Sequence, residues 1–120
     1  MDVFVCRAEE LRAGIVRTTQ LGTDEDGIPI VALVLRDANG RIVAYRNLCR
    51  HLPVPLDGGT GEFLSDDRAH LVCGTHGAIY RLLDGYCVDG PCEGLSLQAL
   101  NVREDGGELF VSGQPLVSSH

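Results

Sequence analysis

The chain has 120 residues, 44% hydrophobic and 22% charged, with 10 Lys and Arg against 17 Asp and Glu for a formal charge of -7. That length supports one hydrophobic core and falls short of two comfortable domains, so a single domain over 1–120 is expected. The negative balance repels a phosphate backbone or an anionic membrane surface, which argues against nucleic acid and favours a protein partner with a basic docking face.

The stretch from Met1 to Leu11 has no basic leader followed by an apolar run, and no segment reaches the ~20 apolar residues of a membrane-spanning helix. The expectation is a cytoplasmic protein with no membrane contact. Short runs rich in Val, Ile and Leu then follow one another, separated by turn formers: Val3 to Arg7, Ile15 to Leu21, Ile28 to Arg36, Arg41 to Arg46, His70 to Cys73, Gly77 to Arg81, Leu95 to Val102 and Glu108 to Ser112. Each reads as a strand. Asn39-Gly40 and Asp105-Gly106-Gly107 mark hairpins, because these residues tolerate positive φ. Only Arg7 to Ala13 suggests helix, and it allows no more than a turn or two. Cys6, in the first strand, reads as core; His70 reads as solvent-facing; Asp24-Glu25-Asp26 reads as a solvated turn. The fold class expected is all-β.

The middle third breaks this pattern. Asn47 to Gly61 and Gly74 to Gly94 are crowded with Gly, Pro, Cys and His, the composition of loops that hold something. The tail from Gly113 to His120 is polar and reads as frayed. Five cysteines are an odd number, and reducing cytosol disfavours disulfides, so metal or redox chemistry comes first.

Cys49-Arg50-His51 and Cys73-Gly74-Thr75-His76 form a C-x-H pair and a C-x-x-H pair separated by 21 residues. Each pair offers one soft, charged thiolate and one neutral imidazole. Four such ligands suit a [2Fe-2S] core, and they also suit a structural zinc ion. Zinc fingers favour C-x-x-C with H-x-x-x-H, whereas here each pair is mixed.

The mixed pairs, Gly77 after the second pair and Gly90-Pro91 downstream together resemble a Rieske [2Fe-2S] domain over roughly Asn47 to Gly94. The resemblance implies a compact antiparallel β sandwich or barrel base, with a cluster-binding subdomain built from two loops at its tip. It implies one cluster, with Cys49 and Cys73 on the inner iron, His51 and His76 on the outer iron, and Pro91 in a loop covering the cluster. Two ferric ions, two sulfides and two thiolates sum to neutrality. An electron therefore enters more easily than in an all-cysteine centre, and potentials run from about -150 to +300 mV.

Departures from the pattern place the chain within that family. Respiratory members carry an extra cysteine in each loop, joined as a disulfide; here Leu52 to Val54 and Thr75 stand there instead. Those members also tend to have a Ser two residues after the second His and a Tyr four residues after it; this chain has Ala78 and Tyr80. Each hydrogen bond donated to the cluster stabilises its reduced form, so Ala78 implies a potential in the lower half of the range, with Tyr80 either a thiolate donor or a packed aromatic.

These features resemble the soluble ferredoxins that carry electrons from a reductase to a ring-hydroxylating oxygenase. A non-catalytic small subunit of a larger reductase, of the nitrite-reductase kind, is the alternative. Catalysis by the chain itself is not expected, because four protein ligands leave no open coordination position. Arg50, between two ligand positions, either favours the reduced state or is screened by water. Cys87 and Cys92 bracket Gly90-Pro91 and read as either a small loop disulfide or two buried thiols.

Overall fold

Residues 30–35 of the chain, IVALVL, are apolar without a break, and a strand of that kind is buried on both faces. The computed structural model describes residues 2–12, 14–37, 39–48, 56, 63–65, 69–73, 77–90 and 93–115, and it puts this run at the centre of the molecule. The strands are β1 (Asp2–Arg7), β2 (Arg17–Thr23), β3 (Pro29–Arg36), β4 (Ile42–Arg46), β5 (His70–Val72), β6 (Ile79–Arg81), β7 (Cys87–Asp89), β8 (Leu100–Asp105) and β9 (Glu108–Pro115). They form three antiparallel sheets of orders β1-β9-β8, β2-β3-β4 and β5-β6-β7.

The β2-β3-β4 sheet is the shared middle layer. Ala32 and Val34 of β3, with Ala44 of β4, point into one core with Cys6, Leu11, Leu109 and Val111. Leu33 and Leu35, with Tyr45 of β4, point into the other, with Leu56, Leu71, Tyr80 and Leu97. The alternation is the period-2 geometry of a strand expressed on two wet-free faces. One side of the molecule is thus a β sandwich, and the other carries the small β5-β6-β7 sheet.

Hairpins fix the register where the sequence places turn residues. Asp37 Oδ1 accepts from the backbone N–H groups of Asn39 and Arg41 at 2.8 and 3.0 Å, and Gly40 sits at φ +81°, so Asp37-to-Arg41 turns the chain from β3 into β4. Arg36 buttresses this end, donating to the carbonyls of Leu11, Gly40 and Ala8.

The all-β expectation is met, and several boundaries move. Within the expected helix at Arg7 to Ala13 there is one 3-10 turn, Ala8–Glu10; Ala13 lies outside the described residues. Glu10 accepts from the Arg7 N–H at 2.8 Å, and the chain must at once return to the sheet. Cys87–Asp89, read as loop, is strand β7. The strand expected over Leu95 to Val102 begins only at Leu100 and runs to Asp105. Residues 95–99 instead connect the two halves, bridging Tyr86 through Ser96 and Tyr45 through Ala99. His70 is half-buried in β5 rather than solvent-facing. Asp24 is an anchor, not a freely solvated turn residue: its carboxylate accepts from Asp26 and Ile28 N–H and pairs with Arg46 at 2.8 Å.

Candidate metal centre

Two segments leave the middle and small sheets where the sequence places its Cys and His pairs. The first follows β4. Asn47 N–H donates to the Val31 carbonyl at 2.7 Å, extending the β3–β4 pairing by one step, and Leu48 N–H turns back to the Arg46 carbonyl at 2.9 Å. Asn47 Oδ1 accepts from Leu56 N–H at 2.8 Å, and Leu56 is fully buried in the core beneath. One side chain therefore clasps both ends of the segment that contains Cys49 and His51. Those two residues, with Arg50 and Leu52 to Val54, lie outside the described residues.

The second segment joins β5 to β6. Cys73 donates its N–H to the Ala78 carbonyl at 2.8 Å, and its own carbonyl accepts from Gly77 N–H at 2.9 Å. These bonds bring Cys73 together with Gly77 and Ala78, with Gly77 at φ +74°, a conformation that suits glycine. Thr75 and His76 lie outside the described residues. Cys73 is fully buried.

The inner face of the small sheet carries Leu71, Tyr80 and Cys87, with Leu71 and Cys87 paired to Tyr80 on either side. Tyr80 is the largest fully buried side chain among the described residues, and Ala78 is buried beside it. Phe63 to Ser65 runs along the far edge of β5, with Val72 N–H bonded to the Phe63 carbonyl and Ser65 N–H to the His70 carbonyl. A fourth stretch of chain thereby covers an edge that would otherwise be open.

The Gly90-Pro91 segment packs against the second loop. Gly90 is at φ +101°, and a methyl group there would stand 2.7 Å from Ala78 Cα, so only glycine lets the two backbones approach this closely. Glu93 N–H returns to the Gly90 carbonyl at 3.2 Å, which brings the two described ends of this segment together. Pro91 and Cys92 lie outside the described residues, and so does any pairing of Cys87 with Cys92. Cys87 Sγ approaches the Asp89 carbonyl at 3.1 Å.

The small sheet is tied to the middle layer by Tyr45. Its phenol, pushed above its ordinary pKa by burial, stays protonated and donates to the Leu82 carbonyl at 2.7 Å. Gly85 leaves room for the ring, since a Cβ there would lie 2.9 Å from Tyr45 Cε1. Sequence reasoning missed the clasp at Asn47 and the tie at Tyr45. The available signals were an Asn at the mouth of a loop, where its amide competes for backbone groups, and a Tyr in an otherwise aliphatic strand, whose hydroxyl needs a buried partner.

Of the four expected ligands, Cys73 alone is among the described residues. A buried thiol suits a charged ligand once it is paired with a metal, and the loops on either side are anchored at both ends by described residues. The buried thiol and the two end-anchored segments thus fit a cluster that would take one sulfur ligand from Cys73.

Comparison with known proteins agrees with this architecture. Residues 1–102 match the Rieske [2Fe-2S] domain. No curated protein matches the sequence. Among solved structures, a chain in the complex of reduced oxygenase and oxidized ferredoxin in carbazole 1,9a-dioxygenase superposes with a TM-score of 0.71 at 21% identity, covering 98% of this chain and 97% of that one. A chain in the reduced complex between oxygenase and ferredoxin of carbazole 1,9a-dioxygenase gives 0.70 at 24%, covering 92% of this chain and 27% of that one. The terminal oxygenase of carbazole 1,9a-dioxygenase from Nocardioides aromaticivorans IC177 gives 0.67 at 25%, covering 92% and 29%. This chain therefore spans little more than a quarter of several of its structural relatives. Among the described residues no helix is long and apolar enough to cross a membrane. With the family match extending over residues 1–102, the chain belongs to the Rieske [2Fe-2S] domain family, whose cofactor is a single [2Fe-2S] cluster.

Proposed function

We propose that this protein is a cytoplasmic electron carrier, a single-domain Rieske ferredoxin that accepts electrons one at a time from a reductase and passes them to an oxygenase. Cys49 and Cys73 hold the inner iron, and His51 and His76 the outer one. The bound cluster supplies reversible one-electron chemistry at a centre that is neutral when oxidised. The chain's own residues do the rest. The Asn47 clasp and the bonds of Cys73 to Gly77 and Ala78 fix the ends of the two ligand-bearing segments. Gly90 seats the covering segment on Ala78. Tyr80 and Ala78 line the protein side, where Tyr80 stabilises added negative charge and Ala78 provides no hydroxyl to do so.

The observation that carries this reading is the burial of Cys73 where the second ligand-bearing segment leaves β5, in a chain that superposes over nearly its full length on a chain from an oxygenase–ferredoxin complex. All four ligands belong to protein, so no coordination position is left for a substrate, and the chemistry belongs to the partner.

The test is low-temperature EPR of anaerobically purified, dithionite-reduced protein. A rhombic [2Fe-2S] signal that Cys73→Ser and His76→Ala each abolish is the expected result. A silent, colourless protein with stoichiometric zinc would replace the carrier with a zinc module. Gel filtration separates the two redox roles: a monomer that turns over with added reductase is a carrier, and co-elution with a larger reductase makes it a subunit.

A further inference from the structure

Four of the six large apolar side chains most exposed among the described residues fall between positions 83 and 95: Leu83, Tyr86, Val88 and Leu95. The other two, Phe4 and Ile15, lie in the base. Tyr86 and Val88 flank Cys87, which is fully buried, so strand alternation turns both of them outward. Leu95 lies alongside, its carbonyl accepting from Cys87 N–H at 2.7 Å.

Charge along this stretch of the sequence is one-sided. Between Leu82 and Val102 there is no basic residue, while Asp84, Asp89 and Glu93 fall within it. The adjoining cation, Arg81, lies over the Tyr86 ring at 4.9 Å and is ion-paired with Asp84; its guanidinium holds the Asp84 carboxyl below the usual carboxylate range. Asp89 and Glu93 have no ion-pair partner among the described residues.

The strip also adjoins the second loop. Val88 is two residues from Gly90, whose backbone lies against Ala78, and Tyr80 pairs directly with Cys87 beneath it.

We propose that the strip formed by Tyr86, Val88 and Leu95 is the docking face for the redox partner, and that it fits a protein presenting an apolar contact ringed by Arg or Lys. The proposal rests on the electron-carrier reading and adds which side of the small sheet the partner occupies. An exposed apolar patch with a polar rim marks an interaction site. A small one suits a transient electron-transfer contact, which buries little area and releases quickly. The carboxylate rim speeds encounter with a basic face and orients it.

The probe is ferricytochrome c, a small redox protein whose haem edge is ringed by lysines. One electron leaves the reduced cluster, returning its irons to two ferric ions, and the ferric haem becomes ferrous; no proton or other reactant takes part. Stopped-flow rates are compared for Val88→Lys/Glu93→Lys and for a matched base variant, Phe4→Lys/Glu104→Lys, which makes the same two kinds of change away from the strip. Titration with redox-inert zinc-substituted cytochrome c reads binding separately.

The expected result at low salt is a fall of about tenfold in rate and affinity for the strip variant, against under about twofold for the base variant. EPR spectra should be unchanged in both. Equal losses in the two variants would reduce the effect to net charge and overturn the docking face. If the strip variant loses its EPR signal, the single substitution Val88→Ser is read in its place, and a rate equal to that of the unaltered protein overturns the proposal. An unaltered protein that has no cluster, or cannot reduce the haem, refutes the carrier reading instead.

Discussion

The two faces of β3 carry different kinds of architecture. On the base side, Ala32 and Val34 share a core mostly with residues of paired strands, Cys6, Ala44, Leu100, Leu109 and Val111, with Ala8 and Leu11 beside them. On the other side, Leu33 and Leu35 share a core with strand residues such as Tyr45, Leu71 and Tyr80 and with a larger share of residues from outside the strands, among them Leu56, Phe63, Cys73 and Leu97. Backbone ladders hold the base. The metal-centre half has only the short β5-β6-β7 ladder and relies besides on single ties: the Asn47 amide on Leu56, the Tyr45 hydroxyl on the Leu82 carbonyl, and the Gly90 backbone on Ala78. A ladder spreads its strength over many bonds, whereas a tie concentrates it in one, so substitutions in the second half act on the centre locally.

That contrast breaks most readily in the cores. Leu33→Ala and Leu109→Ala each empty a fully buried leucine site, and each is expected to cost ~2–5 kcal/mol in denaturant unfolding. Leu33→Ala should also broaden or diminish the cluster's EPR signal, because it hollows the face on which Cys73 rests. Leu109→Ala should leave the spectrum unchanged in whatever fraction stays folded. Identical spectra for both would mean that the two cores act as one.

Gly90→Ala probes a single tie. The new methyl meets Ala78 Cα at 2.7 Å and the backbone sits at φ +101°, so the strain is about 1–3 kcal/mol and the covering segment must lift. The cluster should then lose iron to a chelator faster, with little change in overall unfolding. Asn47→Ala leaves the buried Leu56 N–H without its acceptor, at roughly 1–3 kcal/mol. Chelator half-life should fall by up to about tenfold, and Asn47→Asp, which keeps the acceptor, should restore it while its charge lowers the midpoint potential. Equal half-lives for Asn47→Ala and the unaltered protein would show that the clasp is idle.

Much of the base was legible in the sequence because its signals are periodic or local. The unbroken apolar run at Ile30 to Leu35, Asn39-Gly40 and Asp105-Gly106-Gly107 gave the strands and hairpins to within a few residues. The family also followed from spacing, since ligand type and separation survive where hydrophobic pattern does not. β7 was hidden because its three residues, Cys87–Asp89, sit in a short stretch between Gly85 and Gly90 with no apolar run; hairpin pairing with β6 makes it a strand. The run at Leu95 to Ala99 misled for the converse reason. It is apolar enough for a strand, yet it spends its pairing on two separate bridges, to Tyr86 and Tyr45, as it crosses from one half to the other.

Asp24 gives the smallest effect and the finest test of how the halves connect. Its carboxylate takes backbone N–H bonds from Asp26 and Ile28 within the β2–β3 turn, and it pairs with Arg46 at the end of β4, immediately before the first loop. The Arg46 side-chain bond, followed by the backbone bond from Ile28, holds the Asp24 pKa below its ordinary value. With the folded pKa depressed, the unfolded chain binds more protons in the window between the two values, so stability rises with pH there. The contribution is fully present above the unfolded pKa of about 3.9 and disappears as pH falls through the folded one. Asp24→Asn keeps an oxygen for the two N–H groups and removes only the charge. Its melting temperature should therefore lie slightly below that of the unaltered protein near neutral pH, and the two should converge in acid. A gap that persists in acid would assign the turn's contribution to hydrogen-bond geometry rather than to the Asp24–Arg46 charge pair.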